Sequence, residues 1–266
     1  MRALFLWLFL SILPAVATAY AQPEARIGVV LMHGKGGSPQ RHVQPLASAL
    51  EAGGILVSNL EMPWSGRRNY DADVAAAERQ VSAALAALKA KGAQKVFVAG
   101  HSQGGVFALN LASRLPMNGV AAIAPGGNVG NRVFRENLGG SVAQAQRAVA
   151  EGKGGEPQRF YDYEGARGAY PVVVAPQVYL TWFDPEGAMN QVRAAKAVPA
   201  NVPVLYVAPS NDYPALQRVK QSMFELLPAN PLTRLYQPQA DHLRAPGAAA
   251  EELARWMRTV ANSPAP

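Results

Sequence analysis

The chain has 266 residues, with 25 Lys or Arg against 18 Asp or Glu, a formal net charge of +7, and no cysteine. The missing cysteines exclude disulfides, a lipid-bearing cysteine and a thiolate metal site. The basic residues are scattered, with no run that would track a nucleic-acid backbone, and 49% hydrophobic residues are enough for the core of about one α/β domain.

Met1-Arg2 gives a positive start, residues 3–13 are apolar but too short to span a bilayer, and small residues follow as Ala17-Thr18-Ala19 and Ala19-Tyr20-Ala21. This is the pattern of a cleavable secretory leader over residues 1–21. The mature chain, 22–266, is therefore expected to be one exported unit, periplasmic or secreted, with no membrane anchor after cleavage. No later stretch is long and apolar enough to cross a membrane.

A first strand is predicted over 27–32, ending in His33-Gly34-Lys35-Gly36-Gly37. Helix follows from about 39 or 41 to 52, strand over 55–60, and a long amphipathic helix over 71–91 with an acidic start and a Lys-bearing end. Pro63-Trp64-Ser65-Gly66-Arg67-Arg68 follows the second strand. Residues 96–99, Val-Phe-Val-Ala, are short and apolar on both faces, as a buried parallel strand should be.

Gly100-His101-Ser102-Gln103-Gly104 comes next, then a helical segment reaching residues 114–115. A serine at so sharp a strand-to-helix turn is held in a strained backbone conformation, and Cβ atoms at the flanking positions would clash, hence Gly100 and Gly104. The turn lifts the hydroxyl clear of the sheet, and the helix N-terminus points N–H groups toward it. Strand before, helix after and this pentapeptide between them strongly resemble the nucleophile elbow of the α/β-hydrolase superfamily.

Further along, strand is predicted over 120–124, stopped by Pro125-Gly126-Gly127. Residues 132–200 are looser: helix over 140–151, an aromatic segment over 160–170, extended chain over 171–178 and helix over 185–196. This stretch reads as a lid or insertion. Strand over 202–208 leads into Pro209-Ser210-Asn211-Asp212, with helix over 214–227, a last strand over 233–237 and a closing helix over 247–261. The alternation predicts an α/β-hydrolase fold, with a mostly parallel central sheet and helices on both faces.

A serine hydroxyl needs a base, and the base needs an acceptor to hold its tautomer. The resemblance implies the chain order Ser, then Asp or Glu, then His. Of the four histidines, His33, His42, His101 and His242, only the last follows Ser102 at a distance, in the loop after the final strand. His33 is expected to shape its loop, His101 to pack beneath the elbow and His42 to be exposed. Asp212 matches the superfamily's usual acid position. Asp184 in Trp182-Phe183-Asp184-Pro185 is the rival, although its setting also suits a helix N-cap. The resemblance to His-Gly-x-Gly esterases and lipases further implies an oxyanion hole from the amides of Gln103 and Lys35, with Gly36 the alternative to Lys35.

Trp64 and Trp182 are candidate walls of a substrate pocket. The expected activity is cleavage of small-molecule or lipid-like carboxylic esters through Ser102, His242 and Asp212, with no metal or cofactor and no nucleic-acid partner. An acyltransferase or peptidase using the same three residues, or a non-catalytic binding protein on the same scaffold, are the alternatives.

Overall fold

Residues 25–165 and 167–264 are described by the computed structural model, so the expected leader over 1–21 lies outside the described residues. In chain order the elements are β1 (Ile27–Met32), α1 (Gln44–Ala52), β2 (Leu56–Leu60), α2 (Val74–Ala90), β3 (Lys95–His101), α3 (Gln103–Ala112) and β4 (Gly119–Ile123). Then come α4 (Arg132–Ala150), β5 (Gln158–Glu164), β6 (Gly168–Val174), α5 (Pro176–Phe183) and α6 (Gln191–Lys196). The chain closes with β7 (Val204–Val207), α7 (Pro214–Phe224), β8 (Arg234–Tyr236), α8 (Ala245–Ala248) and α9 (Ala250–Asn262).

Six strands form one parallel sheet in the order β2-β1-β3-β4-β7-β8. The central strands are buried on both faces because successive side chains alternate between two cores. In β1, Val30 and Met32 enter one core and Val29 and Leu31 the other; in β3, Val96 and Val98 divide in the same way from Phe97 and Ala99. The helices α2 and α3 cover the first face, and α1 and α9 the second. In α9 the buried set Leu253, Trp256, Met257 and Val260 follows the 3.6-residue period of one helix face.

The strand order positions the site. The chain runs outward from β1 to β2, then crosses back to lay β3 on the other side of β1. The loops after β1 and β3 therefore diverge to opposite faces at the carboxyl edge, and a crevice opens between them.

In the six-stranded sheet, strand boundaries lie within two residues of those expected. α2 starts at Val74 because Asp73 caps it, accepting a 2.7 Å hydrogen bond from the Ala76 amide. α4 begins at Arg132 rather than at 140: the Asn131 side chain caps it, and burial of Phe134 and Leu138 carries the helix through Gly139 and Gly140. The aromatic segment and part of the expected extended chain form an antiparallel hairpin, β5 with β6. Residues 176–183 are helical, with Pro176 in the first turn. The expected helix over 185–196 is confined to α6, capped by Asn190. No helix among the described residues is long and apolar enough to cross a membrane.

Candidate active site

Ser102 stands between β3 and α3 with φ 54° and ψ −116°, a conformation few non-glycine residues adopt. The elbow tolerates no bulk: a Cβ at Gly100 would lie 2.0 Å from the Gly104 carbonyl oxygen, and one at Gly104 would lie 2.8 Å from the carbonyl oxygens of both Met32 and His33. The Ser102 amide donates to the Ile123 carbonyl at 2.9 Å, tying the turn to β4.

His242 follows β8. Its Nε2 is 3.0 Å from Ser102 Oγ, and its Nδ1 is 2.7 Å from Asp212 Oδ1. A carboxylate only accepts, so Nδ1 carries the proton and Nε2 offers its lone pair to the serine hydroxyl. The imidazole and carboxylate side chains are 8% and 4% exposed, which shields their attraction from water. The two loops are held together beyond the strand ends: Ala208, Ser210 and Asn211 amides donate to the carbonyls of Tyr236, Pro238 and Ala240. Asn211 and Asp241 form a bridge there, so Asp212 arrives beside His242 as an extension of the β7–β8 pairing.

Asp184 has a different setting. It ends α5, and its carboxylate accepts a hydrogen bond from the Glu186 amide at 2.9 Å rather than capping a helix. Asp241 accepts from the Arg244 amide.

The other histidines support the loops. Buried His101 donates from Nε2 to the His242 carbonyl at 2.9 Å, and its ring lies 4.9 Å from that of His242. Burial, reinforced by the neighbouring His242, pulls its pKa down from 6.5 to about 3, so it stays neutral. His33 is lowered by burial as well. Its Nδ1 donates to the Gly34 carbonyl at 2.7 Å and its Nε2 accepts from the Met62 amide at 3.0 Å, bracing the loop after β1. His42 is exposed.

That loop reaches the serine: a Cβ on Gly34 would lie 3.1 Å from Ser102 Cβ. The Gly36 amide is committed to the Trp64 carbonyl at 2.9 Å, whereas among the described residues the Lys35 and Gln103 amides have no protein acceptor. The Lys35 side chain turns away to pair with buried Asp162 of β5.

Trp64 and Trp182, expected to line a pocket, are corrected to core residues. Each is 1% exposed. Their ring centroids are 5.5 Å apart, and both pack on Phe107. Their indole N–H groups donate to the His33 and Ala72 carbonyls, so the rings join loops to the sheet instead of facing solvent.

Four residues near the site were not singled out from sequence. Tyr213 lays its ring 4.6 Å from that of His242 and is 42% exposed. Gly126 lies over the nucleophile, where a Cβ would sit 3.6 Å from Ser102 Oγ. Asp162 and Tyr70 are buried behind the loop after β1. Only Asp162 left a sequence signal: in Arg159-Phe160-Tyr161-Asp162, the period of a strand puts the carboxylate on the same face as Phe160. Among the described residues no three His, Cys, Asp or Glu side chains converge as a metal ion would need.

The pattern of the alpha/beta hydrolase family matches residues 29–258. Comparison with curated proteins gives no match. Among solved structures, the chain is similar to one of the metagenome-derived lipolytic enzymes LipS and LipT, at 17% identity and a TM-score of 0.60, over 90% of this chain and 95% of the other. A monoacylglycerol lipase from Paleococcus ferrophilus is 21% identical with a TM-score of 0.58, over 88% and 94% of the two chains. Est1E from Butyrivibrio proteoclasticus, with ferulic acid bound, is 17% identical with a TM-score of 0.56, over 89% and 88%. At these identities the likeness is one of fold.

Proposed function

We propose, from the premise that the chain belongs to the alpha/beta hydrolase family, that it is an exported serine hydrolase cleaving small-molecule or lipid-like carboxylic esters. The observation that carries this reading is the hydrogen-bonded relay from Ser102 Oγ to His242 (3.0 Å) to Asp212 (2.7 Å). The lipolytic and esterase neighbours support an ester as the bond attacked, and the leader-like sequence pattern of residues 1–21 supports export.

Ser102 Oγ attacks the ester carbonyl as His242 Nε2 takes its proton. Asp212 holds the imidazole in the required tautomer and steadies the imidazolium. The negative charge that forms on the carbonyl oxygen is met by the Lys35 and Gln103 amides, fixed dipoles that need no reorganisation. His242 passes the proton to the departing alcohol, leaving an acyl-Ser102. Water, deprotonated by His242, then attacks the acyl group and restores the serine.

The test is hydrolysis of p-nitrophenyl esters of graded chain length, with fluorophosphonate labelling of Ser102. Ser102→Ala and His242→Ala should each fold and lose at least about a thousandfold in turnover, with Asp212→Asn losing nearly as much. Turnover surviving in folded Ser102→Ala would remove the reading. Added alcohols diverting the acyl group faster than water would convert it to acyl transfer.

A further inference from the structure

Asp162 is 0% exposed, yet it is a carboxylate in the β5–β6 hairpin, far from the catalytic relay in sequence. Four donors surround it. Oδ1 accepts from Lys35 Nζ at 2.5 Å and from the Tyr163 amide at 2.6 Å; Oδ2 accepts from the hydroxyls of Tyr70 and Tyr170, each at 2.8 Å. Lys35 Nζ also donates to the Tyr163 carbonyl at 3.1 Å. A buried ion pair is seldom more stabilising than apolar side chains of similar volume. What it does supply is a defined geometry between the segments it joins.

Directly through Lys35 and indirectly through Tyr70, the carboxylate reaches the residues on both sides of Ser102. Lys35 is in the loop after β1. The Tyr70 hydroxyl lies 3.3 Å from the side-chain amide oxygen of Gln103, the residue after the serine. A phenol has one proton, and charged Asp162 is the nearer acceptor. The Tyr70 hydroxyl therefore sits between the Asp162 carboxylate and the Gln103 side-chain oxygen and bridges the two, with Lys35 donating to the same carboxylate from the other side.

Tyr70 is aimed into this junction by unusual backbone. Asn69 and Tyr70 have φ of 46° and 62°, and Tyr70's amide is held by the Pro63 carbonyl at 2.6 Å. Its ring packs 5.0 Å from Phe183 and 6.0 Å from Trp182. Strain of this kind persists where its surroundings over-determine it, and it clusters at functional sites. Because Asp162 neutralises it, Lys35 does not present a free charge to a substrate; its side chain serves as a tether.

We propose that Asp162 and Tyr70 are positioning residues for the oxyanion hole, locking the side chains of Lys35 and Gln103 so that their backbone amides converge beside Ser102. This rests on the serine-hydrolase reading above. It also gives the hairpin a catalytic purpose: the inserted segment holds the two donors in register.

Tyr70→Phe keeps the ring and deletes the bridging hydroxyl. With p-nitrophenyl acetate it should lower kcat about tenfold to a hundredfold while KM stays within about twofold, since only transition-state charge is less well held. Affinity for a trifluoromethyl ketone, whose tetrahedral adduct puts an oxyanion in the same place, should fall by the same factor. Asp162→Asn should behave likewise with a larger loss of stability. Tyr170→Phe, whose hydroxyl meets the same carboxylate oxygen but reaches neither donor, should keep kcat within about threefold. A folded Tyr70→Phe with kcat within twofold of wild type, or a kcat loss shared equally by Tyr170→Phe, would overturn the proposal while leaving Ser102→Ala inactive and the hydrolase reading intact. A wild-type protein that neither hydrolyses the ester nor reacts with fluorophosphonate would end both.

Discussion

Single atoms decide what is possible around Ser102. Gly100 and Gly104 exclude side chains because the elbow brings backbone oxygens to 2.0 and 2.8 Å of where Cβ would stand. Gly126 is different. A Cβ there would meet Leu216 at 3.4 Å and Ser102 Oγ at 3.6 Å, ordinary contact distances, so the fold can accept a methyl that the reaction site would feel. Gly126→Ala should keep Tm within about 2 °C but lower kcat/KM, more for long acyl esters than for acetate. Equal loss across the chain-length series would mean that the methyl does not face the acyl group. Neither Gly126 nor Tyr213 was legible as a site residue, because a glycine after a strand and a tyrosine before a helix carry no signal of what lies opposite.

At the level of elements, α4 shows local propensity yielding to burial. The helix expected over 140–151 instead runs from Arg132 through Gly139 and Gly140, because Phe134 and Leu138 must enter the core. Both glycines have open space at the Cβ position. Gly139→Ala with Gly140→Ala should therefore raise stability by about 1–2 kcal/mol, read as a higher denaturant midpoint with unchanged kcat. No gain would mean that α4 frays at this point in solution. The hairpin was illegible for a related reason: in β5 the inward residues Phe160 and Asp162 alternate with exposed Arg159 and Tyr161, so a charged residue sits on the buried face and blurs the strand pattern. Lys35, 127 residues away in sequence, the hydroxyls of Tyr70 and Tyr170 and the Tyr163 amide together make that burial tolerable.

Across the whole molecule, buried neutral histidines make stability depend on pH. Burial lowers His33 and lowers His101 from 6.5 to about 3, so between those values the unfolded chain binds protons that the folded chain does not. The sign follows directly: stability is full above pH 6.5 and declines as pH falls toward 3. From His101 alone the loss should reach about 2 kcal/mol by pH 5, at about 1.4 kcal/mol per pH unit. Urea unfolding at pH 7, 6 and 5 would measure it. His101→Gln, which can still donate to the His242 carbonyl, should flatten the slope, and an unchanged slope would mean that His101 is not its source.

The elbow, the strand–helix alternation and the choice of His242 were readable from the chain because each depends on backbone geometry written in contiguous residues or on the order of a few residue types. The parallel sheet and its family follow from the same local patterns. Tertiary structure decided which loops meet: it set Asp212 rather than Asp184 within 2.7 Å of His242, moved Trp64 and Trp182 from a supposed pocket into the core, and joined Asp162 to Lys35 and, through Tyr70, to Gln103 beside the serine. The physical reason is burial. Local sequence constrains torsions, but whether a side chain meets water, a charge or another ring is settled only when sheet order brings distant segments together.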